Sequence, residues 1–96
     1  MGPFAFRSLV VRYVSERRCR KGGFCFYKLE EPNGSDTWHA LAILDLLKAQ
    51  FEDPATIAYL KRMQRADGTY DSIYAAYFAI RSLSLLGETP FLDPRP

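Results

Sequence analysis

The chain predicts an all-α fold of two helical hairpins, and three observations carry that expectation. Helix-starting residues stand before the apolar runs, the runs repeat at three and four residues, and the pattern of the first half returns in the second. One domain over 1–96 is expected, with one repeat over 4–52 and a second over 53–90.

Pro3 opens a first helix expected to run to about Arg18. Phe6, Leu9, Val10, Tyr13 and Val14 share one face and the arginines take the other. Lys21, Gly22 and Gly23 end it. The stretch GGFCFYKLEEPNG is loop, with a short extended piece expected at Phe24 to Tyr27. Ser35 and Asp36 then stand where an N-cap is expected, because a short side-chain oxygen accepts from the unpaired N–H groups of a first turn. The helix behind them, SDTWHALAILDLL, is apolar almost all round, so it should be enclosed on most sides. Asp53 caps a third helix with Pro54 at its first position; Ile57, Tyr59, Leu60 and Met63 follow before Asp67 and Gly68 stop it. Asp71 or Ser72 caps a fourth, Ile73 to Leu86, which Gly87 terminates, and the tail TPFLDPRP reads as loop.

The repeat is the most informative feature. Tyr13, Val14, Gly22 and Phe24 return as Tyr59, Leu60, Gly68 and Tyr70 at a separation of 46. Trp38, Ala40, Leu44, Leu46 and Leu47 return as Tyr77, Ala79, Leu83, Leu85 and Leu86 at a separation of 39, so the first unit holds a loop seven residues longer. Each unit is an amphipathic helix followed by a nearly all-apolar one, which predicts inner and outer helix layers.

Composition narrows the partners. With 96 residues, 48% hydrophobic and 25% charged, the chain is neither disordered nor low in complexity and is expected to fold. A net charge of +2 argues for no nucleic-acid partner, its basic excess lying in Arg7, Arg12, Arg17, Arg18, Arg20 and Lys21. No run is long enough for a membrane span, and the first residues lack a secretory layout, so a cytoplasmic location is the default expectation. Cys19 and Cys25 are then expected reduced, as ordinary buried or half-buried thiols.

Tyr59, Leu60, Gln64, Gly68 and Tyr70, in YLKRMQRADGTY, resemble the repeat shared by squalene and hopene cyclases and by the β subunits of protein prenyltransferases. SDTWHALAILDLL and AYFAIRSLSLLG are similar to the inner helices of that family. The resemblance implies an α/α toroid, here a partial ring, whose inner helices line a cavity for an isoprenoid. It covers nearly the whole chain, although the first unit has Arg18 where the repeat has Gln, and a closed ring needs more hairpins.

The resemblance also implies chemistry. In the cyclases a neutral carboxylic acid before a Thr donates the initiating proton; the matching run is Asn33 to Thr37, which retains Asp36 and has Ser35 in the donor's place. In the prenyltransferases a zinc ion held by Asp, Cys and His activates a thiolate. His39 matches that histidine, but Thr69 stands for the Cys and Cys25 for the Asp, so the ligand set is incomplete. Diphosphate recognition by Arg and Lys would fall to Arg18, Arg20 and Lys21.

Asp36 and His39 are thus the candidate catalytic pair, with a structural alternative in which Asp36 caps the helix and orients the ring. Their counterparts in the second unit are Ala75 and Phe78, so packing does not demand the polar pair. Trp38, Tyr74, Tyr77 and Arg81 are the candidate isoprenoid-facing residues, aromatic rings being able to stack around a carbocation as well as fill a core. The leading expectation is an isoprenoid-handling protein that binds or transfers a prenyl group. The alternative is a non-catalytic repeat module for protein association, or a fragment of a longer toroid chain. Two hairpins leave both lateral edges apolar, which predicts self-association or pairing with a subunit carrying the remaining hairpins.

Overall fold

A computed structural model describes residues 3–26 and 31–91. It contains four helices, α1 (Pro3–Ser15), α2 (Gly34–Leu46), α3 (Pro54–Arg62) and α4 (Ile73–Leu85). The one extended pairing among the described residues is an isolated antiparallel bridge between Arg18 and Phe24.

That bridge explains why α1 stops at Ser15, short of Arg18. The amides of Arg17 and Arg18 already donate three residues back, to Val14 and Ser15, and Cys19 N–H then donates to the Gly23 carbonyl at 2.8 Å. Cys25 N–H returns to the Arg17 carbonyl, so the backbone is drawn out of the helix by pairing across the turn. Phe24 is extended as expected, while Tyr27 lies outside the described residues.

The α2 cap sits two residues before the expected one. Asn33 holds extended dihedrals and its side chain accepts from Asp36 N–H at 2.8 Å, which makes Ser35 and Asp36 the second and third helical residues. At α3, Asp53 caps and Pro54 opens the helix as its sequence demands. Of the two candidates at α4, Ser72 is the cap, and Gly87 follows the helix in the left-handed region. In the tail, Thr89 to Phe91 are not helical, and residues 92–96 lie outside the described set.

The helices pack in the spatial order α1, α2, α4, α3, with α2 against α4 as the main contact. Val14 of α1, Phe24, Ala40, Leu41 and Leu44 around α2, Leu60 of α3 and Leu83 of α4 make one buried core. The expected enclosure of α2 is only partial. Ala40, Leu41 and Leu44 are buried, but Leu46 is 80% exposed, because α1, α4 and the turn at Phe24 cover only part of an apolar cylinder.

The two halves share several backbone hydrogen bonds at constant spacing. Cys19 N–H to Gly23 O and Gly22 N–H to Cys19 O recur 46 residues on as Arg65 N–H to Thr69 O and Gly68 N–H to Arg65 O. Helices α2 and α4 are each 13 residues long and lie 39 residues apart, and their exits match: Ala49 N–H to Leu44 O becomes Glu88 N–H to Leu83 O. Lys48 and Gly87 take the same positive φ after each helix.

Where the halves meet, the first turn is wedged between α2 and α3. Gly23 N–H donates to Thr56 Oγ1 at 3.0 Å and Phe24 N–H to Thr37 Oγ1 at 2.9 Å, so two buried amides are satisfied by threonines of two different helices. Gly22 lies so close to the start of α3 that a Cβ there would be 2.2 Å from the Ala55 carbonyl oxygen.

Candidate functional site

The α2–α4 pairing brings together three of the side chains proposed to face an isoprenoid. Tyr77 and Arg81 stand one helical turn apart on α4, and Trp38 faces them from α2. The Arg81 guanidinium lies 5.1 Å from the Trp38 ring centre and 5.6 Å from that of Tyr77. Among the described residues no carboxylate is within ion-pair reach of Arg81. Its charge is therefore stacked on rings, with hydrogen-bonding edges free for an anion.

Phe78, an aromatic side chain able to stack around a carbocation like Trp38, Tyr74 and Tyr77, extends this strip. Its ring meets Tyr77 edge-on at 5.5 Å and His39 at 6.2 Å. The 39-residue repeat already pairs His39 with Phe78, but a phenylalanine on an apolar helix reads first as packing. Tyr74, one turn earlier on α4, is exposed, as are Tyr77, Arg81 and His39, so the group forms an open face.

Asp36 and His39 engage different partners. The Asp36 carboxylate accepts from Phe26 N–H at 3.0 Å and Asn33 Nδ2 at 2.9 Å, which ties the cap of α2 to the preceding loop. The His39 ring donates through Nδ1–H to the Ser35 carbonyl at 2.7 Å, an assignment that leaves Nε2 as its lone-pair nitrogen. Asp36 therefore neither caps α2, a role that Asn33 holds, nor orients the His39 ring, which the Ser35 carbonyl holds.

The basic residues of the first turn divide. Arg18 is committed to Asp53, with Nη2 at 2.9 Å from Oδ1 and Nε also on the carboxylate, whereas Arg20 and Lys21 are exposed. Hydrogen bonds from Arg18 hold the Asp53 carboxyl below its ordinary value, outweighing burial, with Thr56 Oγ1–H at 2.6 Å adding to the effect. Cys19 and Cys25 are both buried and outside any disulfide; burial pushes the Cys19 thiol up, and the neighbouring Cys25 adds to that. Such a thiol is a poor nucleophile. Among the described residues no three His, Cys, Asp or Glu side chains are grouped to hold a metal ion, so the set does not fit a zinc centre.

A small apolar cleft of about 80 Å³ opens at the other end of the helix pair, lined by Leu41, Leu44, Phe51, Leu85 and Leu86 with Asp45 at its edge. Ligand pockets for organic molecules run to about 300–1,000 Å³. This cleft does not approach that size.

Compared with protein-family models, with curated proteins and with solved structures, the chain matches none. No helix among the described residues is long and apolar enough to cross a membrane.

Proposed function

We propose that the chain is a wall segment of an α/α toroid whose α2–α4 face handles an isoprenoid, binding a prenyl diphosphate or presenting it for transfer. The observation that carries this reading is Arg81 stacked over both Trp38 and Tyr77. An acid-free cation on an aromatic surface suits a ligand with an anionic head and an apolar, polarisable tail. In this reading Trp38, Tyr77 and Tyr74 contact the chain of the ligand, Arg81 its head, and Nε2 of His39 is a proton acceptor at the rim.

The test is titration of the purified chain with geranyl and farnesyl diphosphate while Trp38 emission is followed. Saturable change, lost in Arg81→Ala and retained in Arg20→Ala, supports the proposal. An unmoved spectrum together with no heat of binding ends it.

A second reading, a repeat module for protein association or a fragment of a longer toroid chain, is favoured by a specific observation. The cleft of about 80 Å³ is too small for an isoprenoid, and the strip around Arg81 is open. Both readings ask for further hairpins to close the face.

A further inference from the structure

We propose that the two lateral edges of this chain are the halves of one interface, and that the occupant of each edge is the opposite edge of a second copy. The inference rests on the repeat, and its edge shares Tyr77 with the face proposed to bind a prenyl group.

Several residues that pack across the seam between the hairpins have a repeat counterpart on an outer edge, while Leu44 returns as the buried Leu83. In the seam, Ala55 and Tyr59 of α3 lie against Gly22 and Gly23, and Leu85 of α4 packs against the core that holds Leu41 and Leu44. Moved back by their repeat spacings, these positions are Leu9, Tyr13 and Leu46, which are 50%, 52% and 80% exposed. They define one edge, on α1 and α2. In the other direction, Gly34 lies against Phe78 and Met63, and Trp38 lies under Arg81. Their counterparts 39 residues on are Ile73 and Tyr77, 80% and 49% exposed, on the free side of α4.

Five of the large exposed apolar side chains therefore stand where the internal seam would be repeated. The chain supplies both surfaces itself, and a second copy placed by the same operation joins α4 of one molecule to α2 of the next. One exchange accompanies the repeat. Where Gly34 admits Phe78 in the internal seam, the larger Ile73 meets the counterpart of Phe78, which is His39. Because the two edges are different surfaces, the contact is head-to-tail, and it continues into a ring or an open stack instead of ending at a dimer.

Sedimentation velocity with light scattering over micromolar to millimolar concentration tests this with three proteins: the unaltered chain, Leu46→Glu and Ile73→Glu. Both sites are surface positions, and circular dichroism checks that each variant keeps the helical signal. The unaltered chain is expected to form species larger than a dimer, and each variant alone to be monomeric. An equimolar mixture of the two variants retains one good edge on each partner and should yield a dimer and nothing larger. A monomeric unaltered chain overturns the proposal. So does a dimer formed by either variant alone, which would mean a self-complementary contact, or a mixture that stays monomeric.

Discussion

Arg18 grips the carboxylate of Asp53 through two nitrogens, whereas its repeat counterpart Gln64 turns back onto its own loop and donates to the Gly68 carbonyl at 3.1 Å. One position of the repeat thus closes a loop in the second unit and ties two units together in the first. The carboxylate is the more buried partner, at 7% side-chain exposure against 39% for the arginine, and it is also the N-cap of α3.

A double-mutant cycle on Arg18→Gln and Asp53→Asn measures that tie. Each single change is expected to lower unfolding free energy by about 1–2 kcal/mol, the exposed half of Arg18 keeping the loss below that of a fully buried pair. A coupling near zero in urea melts would mean that Asp53 acts only as a cap.

The same carboxylate gives a pH dependence of defined sign. Its folded value lies below the ordinary 3.8, chiefly through Arg18. Its contribution is therefore complete above the unfolded value and disappears as pH falls through the lower folded one. Urea melts between about pH 5 and pH 2 should show the unaltered chain losing stability faster than Asp53→Asn, the two curves converging at the acid end. Parallel curves would contradict this.

Two glycines with the same sign of φ should respond differently to alanine. At Gly22, φ is +98° and the new Cβ would meet Ala55 oxygen at 2.2 Å, so Gly22→Ala should cost about 3 kcal/mol or more. At Gly87, φ is +74° with open space around it, and the cost should be near 1 kcal/mol. Lys48, at φ 55°, is the non-glycine member of the second pair, and Lys48→Gly should raise the melting temperature slightly.

Ser82 is fully buried on α4, and its hydroxyl has no hydrogen-bond partner among the described residues. The first unit has Ile43 at this position. Ser82→Ala should therefore be neutral or stabilising by up to about 1 kcal/mol, since it removes a desolvated polar group without breaking a bond. A clear fall in melting temperature would reveal a hidden partner.

Where the sequence predicted well, the signal was local or periodic. Asp53–Pro54 and Ser72 cap as their chemistry demands, and the spacings of 46 and 39 reappear as repeated hydrogen bonds. The α2 cap was ambiguous because Asn33, Ser35 and Asp36 all suit the role. Tertiary bonds from Asn33 N–H to Phe24 O and from Phe26 N–H to Asp36 decide it. The end of α1 had no local stop, since it is set by pairing with Phe24. In the candidate site, helical spacing put Tyr77 and Arg81 together and the repeat added Trp38, but the partner of Arg18 lies 35 residues away and no local pattern names it. In the sequence Phe51, Asp53 and Pro54 recur as Phe91, Asp93 and Pro94.

The threonine wedge at the first turn has a consequence for the order of assembly. Gly23 finds its acceptor on Thr56, 33 residues later, and Arg18 its counter-ion 35 residues later. During synthesis α1 and α2 therefore emerge with their connecting turn unfinished, and the opening residues of α3 complete it on arrival. Separating the halves between Leu47 and Asp53 would take the Thr56 acceptor from Gly23 and the Asp53 counter-ion from Arg18, so the boundary between the units is also where they are tied together.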